Sequence, residues 1–265
     1  LITETVNIVN EYLQLKGIHI KSFNMKITGK MEKNGKKCGI GSSGSVTVLT
    51  VKAMSKLYSY DISSEEVFKL SAYVLLKRGD NGSMGDIACI SYGSLVMYTS
   101  FDRNFIKEKM KNSSLSEIMN LEWGYKIEKI HCPEKLEFLV GWTGIPSISG
   151  KMIIEVKNSI YKEFLEKSEE IVRNLKNGIE QGNKKIISEN VEENSKLLKM
   201  LHEKIYSRKL LELVESAEGL DICAKSSGAG GGDCGIAISF NRNDTEKLLE
   251  RWESRGIELL YKSEL

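Results

Sequence analysis

Three segments rich in glycine and serine carry the residues of this chain whose types and spacing suit phosphate chemistry. The first glycine segment is KCGIGSSGSV at 37–46, the second is RGDNGSMGD at 78–86, and the third is KSSGAGGGDCG at 225–235. Glycine lets a backbone approach a ligand closely, and the amides at the N-terminus of a helix favour an anion. Three such segments, each next to a regular element, are hard to explain as ordinary turns.

The first glycine segment satisfies the start of three nucleotide-binding patterns and completes none of them. Gly39, Gly41 and Gly44 form GxGxxG. The preceding residues 32–37 are polar, whereas a dinucleotide-binding turn follows an apolar strand. A protein-kinase glycine loop requires a lysine-bearing strand and an HRD loop further on, and a P-loop requires lysine where Ser45 stands. This segment alone leaves two interpretations open. It is either a helix start that binds phosphate or an ordinary helix cap on a flexible loop.

Taken together, the three segments resemble the signature motifs of the GHMP kinases, the galactose, homoserine, mevalonate and phosphomevalonate kinases. GIGSSGSV resembles the second motif of that family, and KSSGAGGGDCGIAI resembles the third. The middle stretch NGSMGDIACISYGSLVMYTSFD and the later GWTGIPS are similar to the phosphomevalonate branch. The family's first motif, a strand with a PGK-like lysine, is absent and the sequence starts at Leu1 within a helical pattern, so we expect an N-terminal piece to be missing from it.

This resemblance implies a kinase that transfers the γ-phosphoryl group of ATP to 5-phosphomevalonate in the mevalonate pathway of isoprenoid biosynthesis. The products would be 5-diphosphomevalonate and ADP. The alternatives are a mevalonate kinase or another small-molecule kinase of the family, and a nucleotide-binding fragment without catalysis. ATP and Mg²⁺ are the implied cofactors, a small phosphorylated molecule is the implied partner, and the oligomeric state stays open.

The resemblance assigns the ATP phosphates to the first glycine segment. Its predicted nucleotide-binding residues are Gly39, Gly41, Ser42, Ser43, Gly44 and Ser45. Ser43 matches the family serine whose hydroxyl meets Mg²⁺, a hard cation that takes oxygen ligands and keeps several waters. Lys37 comes just before the loop, and it is either a catalytic cation or a solvated lysine.

The acceptor is assigned by the same resemblance to the second and third glycine segments. Asp86 matches the family aspartate that faces the attacking hydroxyl of mevalonate as a base. A phosphate monoester has a second pKa of about 6 and is mostly dianionic at pH 7, so it needs no such base. We therefore expect Asp86 to orient the acceptor or its lysine partner, and an N-cap for the following helix is the structural alternative. The other predicted substrate-binding residues are Ser83, Tyr92, Lys225, Ser226, Ser227, Gly228 and Ala229.

The composition of the chain argues against several classes of binding partner. Its 265 residues include 38 basic and 36 acidic ones, a net charge of +2 that argues against a nucleic-acid binder. The five cysteines form no CxxC pair and the three histidines lack metal-ligand spacing, which indicates a reducing cytoplasm without a zinc or disulfide framework. No apolar run approaches the roughly 18 residues of a membrane span.

The periodicity of apolar residues places the three glycine segments next to regular elements of an α+β fold. Predicted helices are 2–15, ended by Gly17, then 65–76 with Ser63 or Ser64 as cap, most of 151–215 with weak breaks at Gly178 and Gly182, and a last helix capped by Asn243 or Asp244. Predicted strands are 18–31, 94–99, 136–142, 221–224, 236–240 and 257–261, and residues 46–58 are either β-rich or a buried helix. The resemblance implies an N-terminal α/β domain with a mixed sheet at 1–146 and a ferredoxin-like α+β domain at 147–265.

Overall fold

The computed structural model describes residues 1–29, 32–33, 35–147 and 154–265, and these divide into two compact units. Unit 1 comprises Leu1–Gly29 and Gly41–Lys129. Unit 2 comprises the described residues of Lys30–Ile40 and of Ile130–Leu265. The predicted domain boundary between 146 and 147 falls inside unit 2 of this division, and it stays a prediction.

Helices and strands follow one another in a mixed order along the described chain. The helices are α1 (Ile2–Leu15), α2 (Ser42–Leu57), α3 (Ser64–Lys77), α4 (Gly85–Tyr92), α5 (Arg103–Asn112), α6 (Leu115–Asn120), α7 (Lys162–Glu180), α8 (Lys184–Leu201), α9 (Arg208–Glu215) and α10 (Arg242–Ser254), with a 3₁₀ turn at Glu203–Ile205. The strands are β1 (Glu32–Lys33), β2 (Lys36–Lys37), β3 (Val96–Thr99), β4 (Lys126–Lys129), β5 (Glu137–Trp142), β6 (Ile222–Ser226), β7 (Cys234–Ser239) and β8 (Glu258–Glu264).

Unit 1 is built around α3, whose residues from Val67 to Leu76 are all buried. A capping box starts this helix: the Ser63 hydroxyl accepts the N–H of Glu66, and the Glu66 carboxylate accepts the N–H of Ser63. The predicted helix and its Ser63 cap are thus confirmed. Aromatic rings pack edge to face in the same core, including Phe68 with Tyr125, whose centroids lie 4.6 Å apart.

Two expectations for unit 1 are decided by tertiary packing. Residues 46–57 belong to α2, a helix that begins after Gly41 and has Tyr58 as its C-cap, so the buried-helix alternative is correct. The predicted strand 18–31 is wrong for 18–29, which have no regular secondary structure, and residues 30 and 31 lie outside the described part. Instead of a partner strand, Phe23 packs edge to face against Tyr58, which donates its hydroxyl to the carbonyl of Lys21.

The strands described in unit 1 form one antiparallel pair, β3 with β4. In the part of the chain that the structure describes, the mixed sheet implied for this domain is therefore represented by two strands. The helices α1 to α6 supply the rest of the core.

Unit 2 contains a four-stranded antiparallel sheet in the order β6-β7-β5-β8. Helices α7 to α9 connect β5 to β6, and α10 connects β7 to β8. Along the chain the elements follow the β-α-β-β-α-β order of a ferredoxin-like domain, as expected. Leu139 and Trp252 pack in the core on one face, while Ile187 and Cys223 pack in the core on the other.

The predicted helical region of unit 2 is confirmed within 154–215, and residues 148–153 lie outside the described part. Of the two predicted breaks, the one at Gly182 is confirmed, with a φ of +62°, whereas Gly178 remains inside α7. Residues 158–161 also interrupt the helical region. The cap predicted for α10 is wrong by two or three residues: Asn241 is the N-cap and accepts the N–H of Asn243. Asp244 instead accepts the N–H of Asp221 from within the first turn.

None of the described helices combines the length and apolar character needed to cross a lipid bilayer.

Candidate functional site

The start of α2 presents backbone amides without a side-chain acceptor. Gly41 is its N-cap, with φ of 72° and ψ of 40°, and no side chain caps the helix. The first intrahelical bond runs from the N–H of Ser45 to the carbonyl of Gly41, at 2.9 Å. The amides before Ser45 lack an intrahelical partner, and the helix dipole adds partial positive charge there. This end of α2 therefore suits an anion such as a phosphate.

Asp86 lies against this helix start, from the first turn of α4. A Cβ atom at Gly41 would lie 2.8 Å from Oδ2 of Asp86, and one at Gly44 would lie 2.5 Å from the same atom. Neither glycine can carry a side chain without moving the carboxylate. The N-cap of α4 is Met84, with φ of 67°, so the N-cap alternative for Asp86 is wrong. The Asp86 Oδ1 instead accepts the N–H of Ile87 at 2.9 Å.

The electrostatic setting of Asp86 follows from this packing. The residue as a whole remains exposed, but its carboxylate packs against two glycines of α2. Loss of hydration there raises the pKa of Asp86, and the negative charge of Asp80 raises it further. The hydrogen bond from Ile87 opposes both effects.

Two basic side chains from α5 hold the second glycine segment in unit 1. Arg103 donates to the carbonyl of Gly82 at 3.0 Å. Lys107 donates to the carbonyl of Asp80 at 3.3 Å and to Oδ1 of Asn81 at 3.0 Å. Sequence reasoning missed both cations, because they lie about 20 positions further along the chain and no spacing rule links them to the segment. Only the packing of α5 brings them there.

The other two residues predicted in this half of the site lie at opposite ends of α4. Ser83 is exposed, and its hydroxyl accepts the N–H of Gly85 at the start of the helix. Tyr92 is the last residue of α4, roughly 9 Å along the axis from Asp86 at 1.5 Å per residue. Its ring packs, half-buried, against the core of unit 1. The structure therefore brings Ser83 and Asp86 together, but it does not bring Tyr92 beside them.

The third glycine segment connects β6 to β7 in unit 2. Gly228, Gly230 and Gly231 all have positive φ, and so does Asp233. Successive N–H groups in a turn conformation can form a concavity that binds an anion. Within the described residues, the amides of Gly228, Ala229 and Gly230 have no hydrogen-bond acceptor. This part of the loop offers donors of the kind that a phosphate group accepts.

The predicted substrate-binding residues at the start of this segment have different surroundings. Ser226 is fully buried, so its side chain cannot meet a ligand arriving from solvent unless the loop opens. Ser227 is half-buried and Gly228 is exposed, so the accessible part of the loop begins after Ser226. Lys225 donates to the carbonyl of Ser226 at 2.7 Å, and burial lowers the pKa of Lys225 to about 8.

Asp233 joins the third glycine segment to Gly39 within unit 2. Its carboxylate packs so closely against Gly39 that no side chain fits there, and Gly39 has a φ of +70°. Oδ1 of Asp233 accepts the N–H of Ser147 at 3.0 Å, while burial raises the pKa of the carboxyl. Sequence reasoning did not predict this contact, because an aspartate in a glycine run carries only a turn signal.

The first glycine segment thus contributes to both units, with Gly39 assigned to unit 2 and Gly41 to unit 1. Lys37, predicted as a catalytic cation, lies in β2, and its side chain is outside the described part of the structure. Convergence of all three segments on one ligand stays a prediction.

The oxygen groups at the start of α2 fit a magnesium ion. Ser43 is exposed in the first turn of α2, and Asp86 supplies a carboxylate against the same turn. Magnesium is held by one or two carboxylates together with substrate phosphates and waters, rather than by an all-protein cage. Accordingly, the described residues contain no cluster of three or more His, Cys, Asp or Glu suited to a metal.

Comparison with known proteins identifies the family. The family models described as GHMP kinases N terminal domain and GHMP kinases C terminal match residues 1–94 and 172–258. The structure is similar to that of Streptococcus pneumoniae phosphomevalonate kinase in complex with phosphomevalonate and AMPPNP. The TM-score is 0.95, at 45% identity over 100% of this chain and 80% of that one. The chain belongs to the GHMP kinases.

Curated GHMP kinases are also similar to it over most of its length. Phosphomevalonate kinase of Streptomyces sp. (strain CL190) is 27% identical over 97% of this chain and 72% of that enzyme. Mevalonate kinase of Pyrococcus furiosus is 26% identical over 91% of this chain and 66% of that enzyme. The predicted family and the GHMP kinase fold, with its N- and C-terminal parts, are confirmed.

Proposed function

We propose that this chain catalyses the ATP-dependent phosphorylation of 5-phosphomevalonate to 5-diphosphomevalonate. The observation that carries the proposal is its similarity, at 45% identity over the whole chain, to a phosphomevalonate kinase whose structure contains phosphomevalonate and AMPPNP. Mevalonate kinases are also among its relatives, at 26% identity for the Pyrococcus furiosus enzyme. The higher identity therefore favours a phosphorylated acceptor over mevalonate itself.

The nucleotide is bound, in this proposal, by the start of α2. The free amides after Gly41 donate hydrogen bonds to the phosphate oxygens of ATP, and the helix dipole adds to that attraction. The serine hydroxyls of this turn supply further contacts, with Ser43 and Asp86 available to a magnesium ion. Magnesium, when bound, would neutralise charge that develops on the transferred phosphoryl group.

The acceptor phosphate is bound by the amides of the third glycine segment, with Lys225 as its nearby cation. Two anionic reactants repel each other, so each requires its own donors before an oxygen of the acceptor phosphate can approach the γ-phosphorus of ATP. The new bond forms between that oxygen and the γ-phosphorus, while the bond to the β-phosphate oxygen breaks and ADP leaves. Asp86 orients the reactants and removes no proton, because the acceptor phosphate is already ionised at pH 7.

The proposed reaction takes place in the cytoplasm. The proposal rests on the five cysteines of the chain, which are all free thiols in the structure. A compartment that keeps thiols reduced suits such a protein.

A coupled assay of ADP release tests the proposal. Purified protein receives ATP and Mg²⁺ with phosphomevalonate in one reaction and with mevalonate in a parallel reaction. We expect ADP release to depend on phosphomevalonate and to be slower with mevalonate by about 100-fold or more, since the amides built for a phosphate would be left unpaired. Equal or faster release with mevalonate would instead indicate a mevalonate kinase.

A further inference from the structure

One short stretch, residues 205–206, forms hydrogen bonds with the third glycine segment at two points. The first shoulder is Ser226, before the exposed part of the loop, and the second shoulder is Gly230 and Gly231, after it. This stretch comprises the last residue of the 3₁₀ turn between α8 and α9 and the residue after it. At the first shoulder, the N–H of Ser226 donates to the hydroxyl of Tyr206 at 3.1 Å. At the second shoulder, the N–H of Gly231 donates to the carbonyl of Ile205 at 2.8 Å. The open amides of 228–230 lie between these two attachments.

The attachment at the second shoulder leaves little freedom. A Cβ atom at Gly230 would collide with the carbonyl oxygen of Ile205, and Gly230 has a φ of +77°. The carbonyl of Gly230 accepts the hydroxyl of Ser147 at 2.7 Å. Backbone groups therefore fix this shoulder, and no single side-chain substitution removes the Ile205 contact.

The attachment at the first shoulder depends on one hydroxyl. Tyr206 is buried, and its hydroxyl also shares a hydrogen bond of 2.7 Å with the hydroxyl of Ser195 in α8. The tyrosine oxygen accepts the N–H of Ser226, and Ser195 of α8 forms its hydrogen bond with the same hydroxyl. Ser226 itself is fully buried, and its own hydroxyl has no partner among the described residues. The N–H of Ser227 also donates to the carbonyl of Cys234 at 3.0 Å, so the Tyr206 hydroxyl supplies one of two hydrogen bonds that fix the start of the loop.

We infer that Tyr206 is a positioning residue for the phosphate-binding loop, acting through the backbone of Ser226. The inference rests on the proposed function, because the ligand of that loop is taken to be the phosphate of the acceptor. Loss of the Tyr206 hydroxyl leaves a buried N–H unpaired and removes one of the two hydrogen bonds that fix the first shoulder. The open amides of 228–230 are then held less rigidly, and the phosphomonoester loses affinity while ATP does not.

The Tyr206→Phe variant tests this inference because it keeps the buried ring and removes only the hydroxyl. We expect the KM for phosphomevalonate to rise about tenfold, while the KM for ATP changes by no more than about twofold and kcat by no more than about threefold. Amide hydrogen exchange of residues 226–231, measured without substrate, is expected to accelerate in the variant.

Two controls separate positioning from a general structural role. Ser195→Ala removes the other partner of the same hydroxyl and leaves the bond to Ser226, so its KM for phosphomevalonate should stay within about threefold of the parent value. Tyr12→Phe removes a buried tyrosine hydroxyl in unit 1, and it reports the effect of lower stability alone. Equal changes in both KM values for Tyr206→Phe would overturn the inference. So would a lower melting temperature with an unchanged KM for phosphomevalonate.

The exchange experiment distinguishes this inference from the proposed function. If the parent protein phosphorylates no phosphomevalonate, the proposed function fails. The exchange of residues 226–231 still decides whether Tyr206 fixes the loop. Unchanged exchange in Tyr206→Phe would reject the positioning role whatever the substrate.

Discussion

The carboxylate of Asp86 lies directly against the backbone of Gly44 in the first turn of α2. A Cβ atom at Gly44 would come within 2.5 Å of Oδ2 of Asp86 and within 3.3 Å of a carbon of Ile87. Because both residues belong to unit 1, this contact links the first and second glycine segments within one compact body. It places one carboxylate beside the amides that are proposed to bind the nucleotide.

Substitution of Gly44 by alanine should lower activity by displacing Asp86. Alanine is the better helix former by about 1 kcal/mol, so α2 itself gains stability. We expect kcat/KM for phosphomevalonate to fall by about tenfold or more, because a misplaced reactant group is costly in phosphoryl transfer. Steady-state kinetics and thermal unfolding check this together. The control is Gly29→Ala, which adds the same methyl group where nothing lies within 4 Å. Equal kinetics for both variants would contradict the argument.

Replacement of Asp86 by asparagine should reveal an orienting role rather than a proton-abstracting one. The amide has the same shape and keeps an acceptor for the N–H of Ile87. We expect kcat to fall by less than the roughly 10²–10⁴-fold that follows loss of a general base. The decline of the rate below a pH of about 6 should persist, since it reports protonation of the acceptor phosphate. A far larger loss, together with disappearance of that acidic limb, would assign Asp86 the role of base.

The buried amine of Lys225 should make acceptor binding depend on pH. Burial lowers the pKa of this amine to about 8, so its charge is lost as the pH rises through 8. The KM for phosphomevalonate should therefore increase between pH 7 and pH 9, and Lys225→Met should remove this dependence. Titration of the KM for both proteins checks the prediction. A pH dependence that survives in Lys225→Met would exclude Lys225 as its source.

The same lysine should lower stability at neutral pH. Its folded pKa lies below the ordinary value of 10.5, so the unfolded chain holds this proton more tightly. The resulting cost is complete below pH 8 and disappears as the pH rises toward 10.5. Lys225→Met should therefore unfold at a higher temperature than the parent protein at pH 7, with a smaller difference at pH 10. A variant that is less stable at pH 7 would contradict this reading.

The carboxylate of Glu66 should stabilise unit 1, and this stabilisation should be lost at acidic pH. The hydroxyls of Tyr12 and Tyr60 donate to its carboxylate at 2.5 and 2.7 Å. Burial raises the pKa of Glu66, but these bonds and those from Ser63 outweigh burial and lower it to about 2. Because the folded pKa lies below the ordinary 4.5, the stabilisation is present above pH 4.5 and is lost as the pH falls toward 2.

The Glu66→Gln variant measures this contribution. At pH 7 we expect its free energy of unfolding to be lower by about 2 kcal/mol, and the difference should shrink at pH 3. Chemical denaturation at both pH values gives the two numbers. Glu122→Gln is the control, since Glu122 is exposed and its replacement should change little. A difference that stays constant with pH would mean that the charge of Glu66 contributes nothing.

Elements whose signals are local could be predicted from the sequence. The S-x-x-E pattern at Ser63 specifies the capping box of α3, and short runs of apolar residues indicate strands of the unit 2 sheet. The glycine pattern at 39–44 indicated the start of a helix, and α2 begins at Ser42 with Gly41 as its N-cap. These features depend on residues only a few positions apart, so the sequence alone is enough to predict them.

Contacts between distant segments could not be predicted in the same way. Residues 18–29 alternate in places like a strand, yet a strand exists only where a partner offers backbone groups. Here Tyr58, the C-cap of α2, provides a side-chain contact instead. The approach of Asp233 to Gly39 joins residues 194 positions apart. No spacing rule covers such a distance, because the packing of unit 2 as a whole determines it.

Phosphorus NMR of the reaction mixture tests the central claim most directly, since it identifies the bond that forms. The purified protein is incubated with ATP, Mg²⁺ and phosphomevalonate. The account predicts that the phosphomonoester signal of the acceptor is replaced by the coupled doublets of a diphosphate ester, at the rate at which ADP appears. Release of ADP with an unchanged acceptor signal, or phosphorylation of mevalonate in preference to phosphomevalonate, would contradict it.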